Sequence, residues 1–133
     1  LTAGQAQAHY EAGVRASMQM YTVYDPTLSV SDAEVDAYLA TYPYAGTTAQ
    51  KQEMIGEQLW VNHFLNWCEA WSDYRRTGYP SLTPTNYPGN ETGGIIPTRL
   101  RYPTSEAAGN PNFTEATSPD LYTTEVWWAG GSD

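Results

Sequence analysis

Proline and glycine are concentrated in the C-terminal part of the chain, and this division limits the folds available to it. Seven of the nine prolines and seven of the eleven glycines lie from Gly78 onward. Proline removes a backbone donor and disfavours helical geometry in the residue before it, so this region favours turns and extended chain. The sequence therefore predicts a helical part over residues 1–76 and an irregular, loop-rich part over residues 77–133 that packs on a helical body.

The helical part begins with two clear helix patterns. Apolar positions three and four apart predict a first helix over residues 3–23, and Pro26 ends it. Ser31 and Glu34 have the spacing of a capping box, in which each side chain bonds the backbone N–H of the other residue. A second helix is therefore predicted from Ser31, with Val35 on its buried face.

Two further helical segments follow. Thr47 or Thr48 can cap a third helix, which is predicted to run to about Asn66, and another turn or two covers residues 67–76. Gly78 ends that segment, because glycine is the usual residue past a helix C-terminus. The predicted apolar stripe of the third helix consists of Met54, Ile55, Leu59, Trp60, Val61, Phe64 and Leu65.

The loop-rich part carries little sign of regular structure. Ile95, Ile96 and Leu100 indicate at most a short strand-like piece. A structureless stretch of this length is uncommon inside a self-contained small domain. We therefore expect an all-α fragment of a larger protein, in which the remainder of the same polypeptide supplies part of the helical body.

Charge and composition exclude several kinds of partner. Fifteen acidic residues against six basic ones give a net charge of −9, which repels phosphate backbones, so we expect no nucleic acid partner. No apolar run approaches the ~20 residues that span a bilayer. The two histidines and the single cysteine have no ligand spacing and no phosphate loop is present, so we expect neither metal nor cofactor. Cys68 is predicted to be a buried, inert thiol.

The aromatic residues are biased towards those with a polar group. Five Trp and eleven Tyr stand against two Phe. Trp and Tyr combine an apolar body with a polar atom, which suits half-wetted surfaces. The bias is typical of a sugar-binding or protein-binding surface, and the alternative is that the rings fill a core poor in aliphatic residues.

One pair of carboxylates has the spacing of a catalytic pair. Glu69 and Asp73 lie four residues apart on one helical face, and two carboxylates can serve as acid and base in glycoside hydrolysis. Arg75 and Arg76 follow directly, so ion pairing is the simpler interpretation. The sequence gives little support to an enzyme.

Four of the five arginines fall in two short segments, Arg75-Arg76 and Arg99 with Arg101. Arginine is preferred for two-pronged pairing with carboxylates. We expect these scarce cations to tie the loop-rich part to the helices, and the alternative is contact with a sugar acid or a sulfate. The candidate carboxylates are Glu69, Asp73 and Glu106.

Several motifs together resemble one protein family. Residues 69–80 read E-A-W-S-D-Y-R-R-T-G-Y-P and residues 96–103 read I-P-T-R-L-R-Y-P, which is similar to the C-terminal signature of the SusD/RagB family. Residues 10–18, 55–60 and 125–128 also resemble that family. The resemblance implies that a structural clasp, and not a ligand contact, is formed by Glu69, Trp71, Asp73, Tyr74, Arg75, Arg76, Tyr79, Arg99 and Arg101.

The resemblance also implies a function. Members of the SusD/RagB family are mostly α-helical, with tetratricopeptide-like helix pairs in their N-terminal half. They are lipid-anchored on the cell surface at the bacterial outer membrane, cap a SusC-like TonB-dependent transporter, bind oligosaccharides or in some cases peptides, and catalyse nothing. This chain would correspond to roughly the last third of such a protein.

Loop aromatics are the candidate ligand contacts. In the family, sugar rings stack on aromatic side chains presented by loops, and the matching candidates here are Tyr87, Tyr122, Trp127 and Trp128. An alternative for the two tryptophans is that they fix the end of the chain. Two other functions stay open at this point: a helical interaction scaffold without a small ligand, and a carbohydrate-active enzyme fragment that uses Glu69 and Asp73.

Overall fold

Helices form the regular secondary structure of this protein, as the prolines and glycines predict. The computed structural model describes residues 2–113 and 121–129, and no β-strand occurs among them. Nor does any helix in these ranges have the length and apolar character needed to cross a membrane. The α-helices are α1 (Ala3–Gln19), α2 (Asp32–Thr41), α3 (Thr48–Asn62), α4 (Trp67–Thr77) and α5 (Thr104–Gly109), and short 3-10 turns cover Met20–Val23, Pro26–Leu28 and Trp127–Ala129. The all-α prediction is confirmed.

Tertiary contacts divide the chain into two compact units. We call Leu1–Leu82 the helical unit, which contains α1 to α4, and Thr83–Asp133 the loop unit, which contains α5. The first predicted helix corresponds to α1 followed by the 3-10 turn, so its last turn is tighter than an α-helix. The Asp25 carboxylate then accepts a hydrogen bond from the Thr27 N–H at 2.8 Å and starts the next turn, which lowers the pKa of Asp25.

The capping box predicted for α2 is present. The Ser31 N–H donates to the Glu34 carboxylate at 2.8 Å, and the Glu34 N–H donates to the Ser31 hydroxyl at 3.4 Å. The Ser31 N–H and the Ser31 hydroxyl both donate to the Glu34 carboxylate and hold its pKa below its ordinary value. The box sets the phase of α2, so that Val35 is fully buried.

An ion-pair cluster joins α1 to the start of α2. Arg15 donates to Asp32 at 2.8 Å and also bonds Asp36. Gln19 donates to the same Asp32 oxygen at 2.9 Å. Hydrogen bonds from Gln19 and Arg15 lower the pKa of Asp32, and Asp36 raises that of Arg15. The two helices are therefore linked by charge as well as by packing.

Tyrosine contributes to the small core of the helical unit. Tyr10 and Val14 of α1 are buried, and the Tyr10 ring stacks on Tyr44 with 4.7 Å between ring centroids. Burial, followed by nearby Tyr38 and Glu57, raises the pKa of Tyr10. The phenol is therefore neutral at ordinary pH, which suits a ring stacked in the interior.

Gly56 lies where the chain crosses α3 after leaving α4. A Cβ at position 56 would lie 2.5 Å from Tyr79 Cβ and 2.9 Å from the Tyr79 carbonyl carbon, well inside contact distance. Gly78 ends α4 in the left-handed region (φ 74°), and Pro80, joined to Tyr79 by a cis peptide bond, is buried. The contact between α3 and the Tyr79-Pro80 segment therefore requires glycine at position 56.

The predicted end of the third helix is wrong. α3 ends at Asn62, and the chain reverses through Leu65, which has a left-handed backbone (φ 67°). Side chains beyond Asn62 leave the helical phase, so Phe64 and Leu65 are 70% and 69% exposed and do not extend the apolar stripe. Val61 is still helical but lies in the last turn of α3, and it is 65% exposed.

Two other expectations are corrected. Cys68 is exposed, not buried, because it lies in the first turn of α4, where Ala70 takes the buried position. Ile95 and Leu100 are exposed loop residues, and neither belongs to a strand. The helix α5 was not predicted, since a short segment between prolines shows no apolar period.

We expect Gly56→Ala to destabilise the protein by about 1–3 kcal/mol, because the added methyl group overlaps Tyr79. The matched control is Gly13→Ala. Gly13 lies in α1 with no atom within 4 Å of an added Cβ, so the helix preference for alanine stabilises by about 0.5–1 kcal/mol. Urea unfolding of the intact polypeptide measures both changes. Equal effects of the two substitutions would contradict the close contact.

We expect acid to weaken the link between α1 and α2. The pKa of Asp32 in the folded protein lies below its ordinary value of 3.8, so its contribution to stability is complete above that value. It is lost as the pH falls through the lower folded-state pKa. Melting temperatures measured from about pH 6 to about pH 3 should fall less in Asp32→Asn than in the wild-type protein. A control with Glu57→Gln, whose carboxylate is exposed in α3, should keep the wild-type dependence.

Candidate functional site

A pocket of about 460 Å³ is formed by loops of the loop unit. Its volume is in the range of small-molecule sites. Two aromatic rings, three polar side chains and several aliphatic groups meet there. The lining residues are Pro84, Tyr87, Gly89, Asn90, Glu91, Thr92, Ile95, Ile96, Pro97 and Tyr122. We call this the loop pocket.

One wall of the loop pocket is a tight turn. The Asn90 carboxamide oxygen accepts from the Thr92 N–H at 3.0 Å and from the Thr92 hydroxyl at 2.8 Å, and the Asn90 N–H donates to the Tyr87 carbonyl at 3.0 Å. Gly94 has φ 85°, and a Cβ there would lie 2.8 Å from Asn86 Cβ. The turn is thus closed by side-chain bonds and by a glycine that lets two backbone segments approach.

The other wall of the loop pocket carries Tyr122, whose backbone is hydrogen-bonded to Thr98. The Thr98 N–H donates to the Tyr122 carbonyl at 2.8 Å. The Thr98 hydroxyl lies 3.2 Å from the same carbonyl and 3.0 Å from that of Thr124. These bonds join segments that are far apart in sequence and fix the backbone that presents Tyr122.

The charge at the loop pocket is an ion pair. Arg101 Nη1 donates to Glu91 Oε2 at 2.8 Å, and the Arg101 guanidinium carbon lies 5.6 Å from the centroid of the Tyr122 ring. Arg101 therefore contacts one charged and one aromatic residue of the lining. The pair holds the Glu91 carboxylate at the pocket edge, where its side chain is 64% exposed.

This arrangement suits non-covalent binding of a ligand with apolar and hydroxyl faces. The Tyr87 side chain is 61% exposed and offers a flat ring, while Asn90, Glu91 and Thr92 supply polar atoms. Across the ranges that the structure describes, no three His, Cys, Asp or Glu residues come together as a metal site. The lining therefore offers ring faces, aliphatic groups and hydrogen-bonding atoms to a ligand.

A larger groove, of about 660 Å³, lies between α1 and α3. Its polar side chains are partly satisfied by protein bonds, since Ser17 donates to Asn62 at 2.8 Å and Gln58 donates to Tyr38 at 2.8 Å. The rest of its lining is mostly apolar and includes Leu59. The groove therefore offers a sugar fewer polar partners than the loop pocket does.

The structure brings together two of the four aromatic residues predicted as ligand contacts. Tyr87 and Tyr122 both line the loop pocket. Trp127 and Trp128 lie in the 3-10 turn Trp127–Ala129, are 67% and 61% exposed, and are not lining residues.

The residues of the predicted clasp lie partly in the helical unit and partly in the loop unit, and the contacts described here are each within one unit. In α4, the Arg75 guanidinium stacks on the Trp71 ring at 4.5 Å, and Arg76 bonds Asp73 at 2.5 Å. At the end of α4, the Gly78 N–H donates a hydrogen bond to the Tyr74 carbonyl at 2.7 Å.

The remaining clasp residues have three different environments. Glu69 is exposed in the first turn of α4, and Tyr79 packs on Gly56. In the loop unit, the Arg99 guanidinium lies 4.7 Å from the Tyr102 ring centroid. The two carboxylates of the predicted catalytic pair have different environments. Glu69 is exposed, whereas Asp73 is paired with Arg76.

Sequence reasoning missed the polar lining of the loop pocket. Asn90, Glu91 and Thr92 were not among the predicted ligand contacts. The available signal was Gly89 before the triplet and Gly93-Gly94 after it, because flanking glycines with positive φ favour a turned loop that presents polar side chains.

Comparison with known proteins agrees with the motifs in the sequence. Residues 1–103 match the SusD-like family described as "starch-binding associating with outer membrane". Solved structures that are similar include one described as "chitin-binding protein" (38% identity, TM-score 0.76) and "Bacteroidetes AC2a SusD-like" (32% identity, TM-score 0.78). Each match covers 92% of this chain, which spans 28% and 25% of the lengths of those two chains. No curated protein matches the chain.

We expect Thr98→Val to loosen the wall that carries Tyr122, because the single hydroxyl proton is shared between two carbonyls there. Loss of this part-buried hydrogen bond costs about 1 kcal/mol, so amide hydrogen exchange at Thr98 and Arg99 should become about 5-fold faster. The matched control is Thr85→Val, at an exposed threonine of the same unit. Unchanged exchange at both amides would show that the hydroxyl does not hold this wall.

Proposed function

The chain belongs to the SusD-like family, and on that premise we propose that it is part of a non-catalytic protein that binds oligosaccharides at the bacterial cell surface. The family description names starch binding and the outer membrane, and one similar structure is described as chitin-binding. Both descriptions concern neutral polysaccharides, so an oligosaccharide is the ligand class that the family favours.

The observation that carries this proposal within the chain is the loop pocket. A pyranose ring has an apolar C–H face and a rim of hydroxyl groups. The exposed Tyr87 ring matches the apolar face, and the side chains of Asn90, Glu91 and Thr92 match the hydroxyls. Tyr122, held by Thr98, completes the aromatic surface.

We further propose that the intact protein is lipid-anchored at the outer membrane and delivers its ligand to a SusC-like TonB-dependent transporter. The support is family membership, whose description includes association with the outer membrane. A surface binding protein raises the local concentration of ligand at the transporter, and no chemical step is required of it.

The rival candidate is an interaction scaffold that binds a peptide or another protein. The apolar groove between α1 and α3 is the observation in its favour, because apolar grooves of this size accept helices or peptide side chains. The two candidates differ in the site they use, so substitutions can separate them.

We expect the intact polypeptide to bind maltoheptaose or chitohexaose, and Tyr87→Ala to weaken that binding by about 10-fold. The loss follows from an aromatic contact of roughly 1.5 kcal/mol. Isothermal titration calorimetry measures the affinities. Tyr24→Ala is the matched control, since Tyr24 is 76% exposed in the helical unit and does not line the loop pocket.

The outcomes separate the candidates. Equal loss in Tyr87→Ala and Tyr24→Ala would show that the loop pocket is not the sugar site. Absence of binding to either oligosaccharide, and to a broader glycan array, together with binding of peptides at the α1–α3 groove, would favour the scaffold.

A further inference from the structure

We infer that the loop pocket selects neutral glycans and rejects uronic acids, through the Glu91 carboxylate that Arg101 holds at its edge. This inference rests on the proposed function and specifies the ligand class of the same site. Of the lining residues within the described ranges 2–113 and 121–129, Glu91 alone carries a charge. Within the described lining, the carboxylate is the member of the Arg101–Glu91 pair that a ligand in the pocket would meet.

Glu91 is placed to accept hydrogen bonds from hydroxyl groups. Arg101 occupies Oε2 at 2.8 Å, and an ionised carboxylate has about four lone-pair sites, so acceptor capacity remains for a ligand. Because the guanidinium fixes one oxygen, the carboxylate loses little side-chain freedom when a sugar hydroxyl binds. Neutral sugars donate such hydrogens from every hydroxyl.

The charge of Arg101 does not favour an anionic ligand. Its guanidinium is bonded to Glu91 and lies over the Tyr122 ring, so its positive charge is balanced by a carboxylate that stands at the pocket. The chain as a whole carries a net charge of −9. A uronate or sulfate would meet an acidic residue first, and like charges at short range repel. The sequence left two roles open for Arg101, a structural ion pair or contact with a sugar acid or sulfate. The second role is disfavoured here.

The non-polar part of the lining agrees with a neutral sugar. Ile95, Ile96 and Pro97 lie beside the two tyrosines. Aliphatic and aromatic groups pack against the C–H faces of a sugar ring, whereas an ionised group near them would lose hydration without a partner. Neutral hexoses and N-acetylhexosamines have the required combination of C–H faces and donor groups.

The test uses a neutral oligosaccharide and its C6-oxidised form, which has the same backbone and carries carboxylates. The probe is whichever of maltoheptaose and chitohexaose binds the intact protein, and calorimetry at low ionic strength gives both affinities. We expect wild type to prefer the neutral form by at least about 10-fold. Glu91→Gln should weaken neutral binding by about 10-fold and bring the uronate affinity up towards that of the neutral form.

Arg101→Met distinguishes a selective role from a merely structural one. It removes positive charge and keeps the carboxylate, so the ratio of uronate to neutral affinity should fall, whereas Glu91→Gln should raise it. Damage to the fold would lower both affinities in both variants. Glu125→Gln has the same charge change as Glu91→Gln at an exposed residue outside the lining, and should leave the ratio unchanged.

Equal binding of the two forms by wild type would overturn the inference and leave the proposed function standing, and so would a ratio that moves the same way in Glu91→Gln and Arg101→Met. Tight binding of the uronate alone would also overturn it. If no glycan binds in either form, the proposed function itself fails, and the inference fails with it.

Discussion

The missing side chain at Gly56 determines how the helical unit is assembled. The chain leaves α4 through the left-handed Gly78 and then crosses α3, with Tyr79 in the space that a Cβ at position 56 would fill. Beyond that contact, the Ser81 N–H and hydroxyl both donate to the Glu53 carboxylate, at 2.6 and 2.9 Å. Tyr79 is thus held against Gly56, and Ser81 is held by Glu53, both on α3. These two contacts fix the path of the chain after α4.

The sequence was a good guide where a structure depends on neighbouring residues. The Ser31 box and the Gly78 stop are local devices, and both are present. It failed where tertiary packing decides. The left-handed Leu65 ends α3 early, although nothing in its immediate neighbours requires a reversal there. Cys68 was expected inside because helix spacing alone does not show that Ala70 faces the core.

The candidate site could be predicted only in part. The family resemblance indicated four loop aromatics as ligand contacts, and two of them, Tyr87 and Tyr122, line the loop pocket. Glu91 could not be predicted as a site residue from the sequence. Its position depends on the ion pair with Arg101, which lies ten residues further along the chain. Pairing across a loop depends on the path of the backbone, and that path is not visible in residue spacing.

Thr98 gives the loop pocket a thermodynamic property beyond its shape. Its bonds to the carbonyls of Tyr122 and Thr124 close one wall, across a separation of 24 residues for the first of them. A ligand that contacts Tyr122 would bind the segment that these bonds already hold. Occupancy and wall closure then form a linked equilibrium with one shared coupling free energy. Binding of any ligand at Tyr122 would then slow the opening of this wall, and the stability of the empty wall would set part of the affinity.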